Sequence, residues 1–248
     1  MKQLKREDIA WLSAFIYIAY IYLGQIPHLK QAAVFSTLFV SVLLVLEYAV
    51  ASTVILGIRR ASIFFVISAF IGYLMELISI HTGYPFGSYT YTNALGPEIG
   101  PIPIFIPLLW SSLSFFSMEA FGPLWMPLSM LFLDLSFDPR FSGVLWIWSV
   151  PTQYYGDPIS NFIGWFVTSA IISMAVALII KFKGYGSLKA ILFYLLFGLD
   201  SSISDIYHAL YVPAALASIL IIFLSAAFII GNRSKRSSGS NADQAGAP

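Results

Sequence analysis

An all-α, polytopic bundle of transmembrane helices is the fold class this sequence predicts, and three observations predict it. Of its 248 residues, 58% are hydrophobic and 10% charged, far from the composition of a soluble domain. Thirteen basic and twelve acidic residues are too few to coat a soluble protein of this size. The apolar residues gather into runs of about 20, the length that crosses a hydrocarbon core of about 30 Å.

Taken in chain order, the first run, 9 to 26, follows MKQLKRED without a small-residue cleavage site, which predicts a retained helix and not a signal peptide. The runs 33 to 57 and 61 to 80 supply the next two spans. After them, 103 to 121 and 122 to 137 are apolar but short, and Pro103, Pro107, Pro123 and Pro127 interrupt them. Such segments are kinked, short or re-entrant, so the count is six or eight. The runs 162 to 180, 188 to 206 and 212 to 230 complete a transmembrane domain over 1 to 233. Ser, Gly and Ala dominate from Ser234 to Pro248, which predicts a disordered tail. No internal repeat is evident, against a transporter built from inverted halves.

Cytoplasmic loops carry the excess of Lys and Arg. With an even number of crossings and both termini cytoplasmic, Lys2, Lys5, Arg6, Arg59, Arg60, Lys181, Lys183, Lys189, Arg233, Lys235 and Arg236 fall inside, and Lys30 and Arg140 outside. The sequence thus predicts a multi-pass protein of the cell membrane. A net charge of +1 leaves no basic face for nucleic acid. The absence of cysteine removes disulfides, thiolate catalysis and cysteine metal sites.

Two loops, 81 to 102 and 138 to 161, are dense in Tyr, Trp, Gly and Pro, a composition suited to turns and to an interfacial aromatic belt. The acids follow a different rule from the bases. Residues 61 to 180 hold Glu76, Glu98, Glu119, Asp134, Asp138 and Asp157 against Arg140 as the one strong base. An ionised carboxylate costs roughly 2.5–3.5 kcal/mol even on lenient membrane-insertion scales, so such residues mark function or sit neutral. Glu76, Asp134 and Asn161 lie at similar depth near the outer ends of their helices. Asp200, Ser201, Ser204, Asp205 and His208 add a polar cluster, Asp200 and Ser204 sharing one helical face. Asp157 reads as an ordinary turn residue before Pro158, and Glu47 is deep but has no motif around it. Asp134 and Asp138 are four apart, a one-face spacing, with Pro139 placing the helix end nearby.

His28, His81 and His208 show no ligand spacing, and the separation of Glu76 from His81 does not put them on one face, so no metal is expected. There is no phosphate-binding Gly-rich loop, no DDxxD and no G-x-S-x-G elbow.

From Gly72 to Trp165 the motifs occur in order: Glu76 with TGYPFGSYTYT, then GP, PIP and Trp110, then DLSFDP, WIW and YYGDPISNFIGW. In these stretches the chain resembles the carotenoid biosynthesis protein family, including its hydratases of acyclic carotenoid ends. Asp157 departs from the apolar residue expected between Gly and Pro. The resemblance implies addition of water to the trisubstituted double bond at an isoprenoid end of a long acyclic carotenoid of fifty carbons, giving a tertiary alcohol without a cofactor. That chemistry needs a carboxylic acid to protonate the less substituted carbon, and aromatic faces or a second carboxylate to stabilise the cation. Asp134 is the candidate donor, with Glu76 or Asp138 holding the water or sharing the proton. Tyr89, Tyr91, Trp110, Trp146, Trp148, Tyr154, Tyr155, Asn161 and Trp165 are the candidate substrate-binding residues. The implied partners are the lipid-soluble carotenoid, water, membrane lipid and other enzymes of the same pathway. Two competing readings remain: a proton-coupled transporter, in which the acids form a relay, and a cyclase or isomerase that quenches the same cation by proton loss.

Overall fold

A computed structural model describes residues 5–27, 29, 36–150, 152 and 154–245, with side chains as far as Asn232. His28 and Lys30 lie outside the described residues, as does Lys2.

The helices are α1 (Arg6–Leu23), α2 (Thr37–Leu56), α3 (Ile58–Thr82), α4 (Phe105–Phe141), α5 (Ile159–Ile179), α6 (Leu188–Tyr207) and α7 (Tyr211–Ala245). Local chemistry sets several boundaries. Ser36 and Ser187 cap α2 and α6 by accepting the Phe39 and Ala190 amides. Gly57 and Gly83, both at φ 77°, end α2 and α3. Among the described residues, six helices are long and apolar enough to cross a membrane, which makes the chain a multi-pass membrane protein. The shorter α1 has Arg6, Glu7 and Asp8 in its first turn, yet it packs antiparallel to α2: Ser13 Oγ donates to Glu47 (3.0 Å) and Tyr17 Oη to the Val40 carbonyl (3.5 Å). Outward side chains are apolar, such as Ile16, Val66, Ile163 and Phe223, as a lipid-facing surface requires.

The two short segments around Pro123 resolve into one element. α4 is helical from 105 to 121, breaks at Gly122 (φ 75°, ψ 175°) and resumes from 123 to 141. Ser117 Oγ reaches the Met126 carbonyl (3.4 Å) and touches Ser129 Oγ. A straight helix would hold positions 117 and 129 about 18 Å apart, so the two limbs fold back on each other as a hairpin. Eight segments therefore run between the ends of the bundle. A Cβ at Gly122 would meet the Lys183 carbonyl at 3.0 Å, and with φ positive this turn takes glycine.

One end of the bundle is basic. There Arg60 Nη2 donates to the Ile180 carbonyl (3.1 Å), Lys189 pairs with Asp8, and Asn232 Nδ2 donates to the Gly186 carbonyl (2.8 Å). The helices entering and leaving this end include both terminal ones. The last helix keeps helical backbone from Ser234 to Ala245, where composition predicts a disordered tail.

The opposite end carries the aromatic loops. Within an otherwise all-α fold, β1 (Tyr89–Tyr91) pairs antiparallel with β4 (Trp146–Trp148), matching Tyr89 with Trp148 and Tyr91 with Trp146. A second short ribbon joins β2 (Glu98–Ile99) to β3 (Ile102–Pro103). In the first ribbon the period-2 alternation turns Tyr89, Tyr91, Trp146 and Trp148 to one face and leaves Ile147 exposed. This ribbon roofs the bundle.

Candidate active site

Glu76 stands in the last two turns of α3, directly beneath the roof, and is 7% exposed. Its Oε1 accepts Trp110 Nε1 (2.9 Å), and its Oε2 accepts Tyr91 Oη (2.9 Å) and Tyr89 Oη. Two glycines permit this arrangement. A Cβ at Gly72, one turn before Glu76, would meet Trp110 Cγ at 2.6 Å, and one at Gly164 would meet Phe86 Cδ1 at 2.4 Å. Trp110 and Phe86 therefore lie against bare helix backbone, and Trp165 packs on Trp110 with ring centroids 4.6 Å apart. Burial, and then the Glu76 charge, push the Tyr89 and Tyr91 hydroxyls well above the usual phenol range, so both stay protonated and donate.

The second acidic group comes from the second limb of α4. Asp134 and Asp138, one turn apart, are both buried, and their carboxyls are in hydrogen-bonding contact. Asn161, in the first turn of α5, donates its amide to both, at 3.1 Å to Asp134 Oδ2 and 2.5 Å to Asp138 Oδ2. Pro139 stands in the last turn of α4, which ends at Phe141 as the proline predicts. The missing Pro139 N–H frees the Leu135 carbonyl, and Tyr154 Oη takes it up at 2.9 Å.

A cavity of about 500 Å³ joins these groups and is within the range of small-molecule sites. Glu76, Asp138, Asn161, Tyr89, Tyr91 and Trp110 line its acidic wall, and Trp146, Trp148 and Trp165 also face it. Of the predicted site residues, Asp134 sits behind Asp138 and does not line the cavity. Tyr154 and Tyr155 do not line it either. Tyr154 braces α4 and packs on Phe162, and Tyr155 is 40% exposed. Trp146 Nε1 is shielded from solvent and has no hydrogen-bond partner among the described residues. A further wall from α1, α2 and α4 includes Ile21, Val40, Leu44, Leu109 and Leu113, with Ser36, Thr37 and Ser41 among them.

The polar cluster of α6 reaches the same cavity through Asp200, Ser201, Ser204 and His208. Asp205 lies behind it, paired with Arg140 at 3.3 Å and with Ser136 Oγ. Arg140 also donates to the Ser201 carbonyl (2.9 Å) and lies over the Phe141 ring at 4.7 Å. Arg140, Phe86 and Gln25, which joins α1 to Asp200 at 2.9 Å, are site neighbours that the sequence does not announce. Arg140 as the one strong base among six acids was the available signal. Asp157 is more than a turn residue: it is fully buried, and its Oδ1 accepts Trp148 Nε1 at 2.6 Å. Burial pushes its carboxyl up to about 6. Among the described residues no three His, Asp or Glu side chains gather closely enough to hold a metal ion.

Comparison with known proteins shows the family. The model of the carotenoid biosynthesis protein family matches residues 31–224. Among curated proteins, the chain is similar to bisanhydrobacterioruberin hydratase of Haloarcula japonica, with 31% identity over 128 residues. That match covers 46% of this chain and 43% of the relative, so the chain spans less than half of the curated protein it matches. No solved structure matches.

Proposed function

The chain belongs to the carotenoid biosynthesis protein family, and on that premise we propose that it is a cofactor-independent carotenoid hydratase. It adds water to the terminal isoprenoid double bond of an acyclic fifty-carbon carotenoid. The observation that carries this reading is a paired carboxyl and a separate, triply hydrogen-bonded carboxyl facing one aromatic cavity at one end of a membrane bundle.

Two carboxyls in contact in a dry interior hold one proton between them, because like charges so close do not both ionise. Asp138, on the cavity side of the pair, delivers that proton to the less substituted alkene carbon, and Asp134 shares it from behind. The π electrons form the new C–H bond and leave a tertiary cation. Glu76, receiving three donors, is built as an acceptor and sets a fixed negative charge opposite the cation, beside the faces of Trp110, Trp165 and Tyr89. Water attacks the tertiary carbon and returns a proton to the aspartate pair, so the carboxyls end as they began.

Placing the basic end in the cytoplasm puts this site at the opposite leaflet of the cell membrane. A rigid polyene comparable in length to the roughly 30 Å core carries its tip to that depth. The test is expression in a host making an acyclic fifty-carbon carotenoid, followed by mass analysis of the pigment. Gain of one water per modified end supports the reading. An unchanged mass, with the protein inserted and folded, refutes it, and isomerised or cyclised pigment of equal mass favours the enzymes that quench the cation by proton loss.

A further inference from the structure

Hydration has two substrates of opposite character, and the cavity has two walls to match. On one side lie Ile21, Val40, Leu44, Leu109 and Leu113, and on another the α6 face of Asp200, Ser201, Ser204 and His208. The apolar wall suits an isoprenoid end. The α6 face has no role in the proton transfers above, and it leads to the surface: positions 200, 204 and 208 rise one turn at a time on one helical face, from the half-buried Asp200 to the exposed His208.

Resting on the hydratase reading, we propose that this α6 face and Gln25 form the water-entry channel of the enzyme, a built site for the second substrate separate from the carotenoid route. Gln25 Nε2 donates to Asp200 Oδ1, while its Oε1 is shielded from bulk solvent and has no partner among the described residues. Gln25 itself lines the cavity, and the polar groups of this face supply the two to four partners that a water needs inside a protein. Deeper along the same wall, Arg140 and Ser201 carry the polar lining to Asp138. The carboxyl pair itself is shielded from the bundle surface. Asp134 and Asp138 are 0% and 2% exposed, Trp148 of the roof is 7% exposed, and Phe86 fills the groove over Gly164. Water therefore arrives along α6 from the membrane surface, and the carotenoid end along the apolar wall.

The chain has no cysteine, so single-cysteine variants report accessibility without background. Ser204→Cys probes the channel, Val150→Cys an exposed loop and Leu74→Cys the lipid-facing side of α3. The probe is a trimethylammonium methanethiosulfonate, which a hydrocarbon phase excludes. We expect Ser204→Cys to react within about tenfold of Val150→Cys and Leu74→Cys at least about a hundredfold slower, as the exclusion of charge from lipid dictates. Fully labelled Ser204→Cys protein should form less than about a tenth of the hydrated product of the same variant unlabelled, a barrier change of roughly one rate decade. His208→Cys at the exposed mouth, where substitution disturbs no packing, should label and block in the same way. A Ser204→Cys side chain as inert as Leu74→Cys, or complete labelling with undiminished hydration, overturns the channel. Labelling is read chemically, so an open channel in a protein that hydrates no carotenoid refutes the hydratase reading and leaves the channel standing.

Discussion

Gly72→Ala gives the sharpest test of how the site is held together, because the overlap it creates is set by one distance. The added Cβ would lie 2.6 Å from Trp110 Cγ and 2.8 Å from both Cβ and Cδ1 of the same residue. Carbon atoms rest about 3.5–4.0 Å apart, so the indole must retreat by about 1 Å. Its Nε1, now 2.9 Å from Glu76 Oε1, then stands at roughly 3.9 Å, beyond hydrogen-bond reach. Overpacking of this kind costs about 1–3 kcal/mol, which for a chain of this length lowers Tm by about 2–12 °C. Product formation should fall at least about tenfold, the rate equivalent of losing roughly 1.4 kcal/mol of hydrogen bonding to Glu76 in the transition state. Thermal unfolding of the purified protein in detergent and pigment mass analysis at matched expression read the two effects. A double-mutant cycle isolates the cause: in a Trp110→Ala background the methyl group has no ring to strike, so Gly72→Ala should cost little further stability. Wild-type Tm and turnover in Gly72→Ala, or an equal loss with and without Trp110, would refute the reasoning.

Three further outcomes follow from the same geometry. Asp138→Asn and Asp134→Asn should each lower product by about 10²–10⁴-fold, the usual contribution of a general acid, in protein that still inserts, and full activity in Asp138→Asn would remove it as the donor. Arg140→Met leaves Asp205 buried without its partner and should destabilise the bundle by roughly 3–5 kcal/mol, while Arg140→Met with Asp205→Leu should recover much of that loss in the same unfolding assay. Asp157, held at about 6 by burial, binds its proton more tightly folded than unfolded. Its contribution to stability is therefore lost as pH rises from about 4 through 6, amounting to at most about 3 kcal/mol, and Asp157→Asn should raise Tm above pH 6 with the gain vanishing below pH 4.

The spans were readable because lipid demands long apolar runs, and α2, α3, α5 and α6 begin and end within a few residues of the runs that predict them. The α4 hairpin was not, since two prolines allow a kink, a short helix or a re-entrant loop equally well. At Gly122 the close Lys183 carbonyl, which leaves little room for a Cβ, comes from a distant loop. The four-residue spacing of Asp134 and Asp138 announced one shared face, but Asn161, which bridges them, is brought in by α5. Tyr-Thr-Tyr and Trp-Ile-Trp carry the alternation of strands in plain view. Their pairing across more than fifty residues depends on the two intervening crossings of the α4 hairpin. Tyr154 shows the limit of reading by residue type, because its hydroxyl answers a carbonyl that Pro139 frees, a contact no residue type announces.

The hairpin of α4 also bears on how the protein is made. Its limbs share a single-residue turn at Gly122, so neither can be released into the bilayer while the other waits in the ribosome exit channel. They must leave the insertion machinery together, as one helical hairpin. Serines that would resist that transfer are already quieted: Ser111 and Ser112 donate to the Pro107 and Leu108 carbonyls of their own helix. Asp134 and Asp138 meet only each other within α4 and gain the Asn161 amide from α5. The outer end of α4 is therefore the last part of the hairpin to be settled in lipid, and the docking of α5 supplies the amide that satisfies its acid pair.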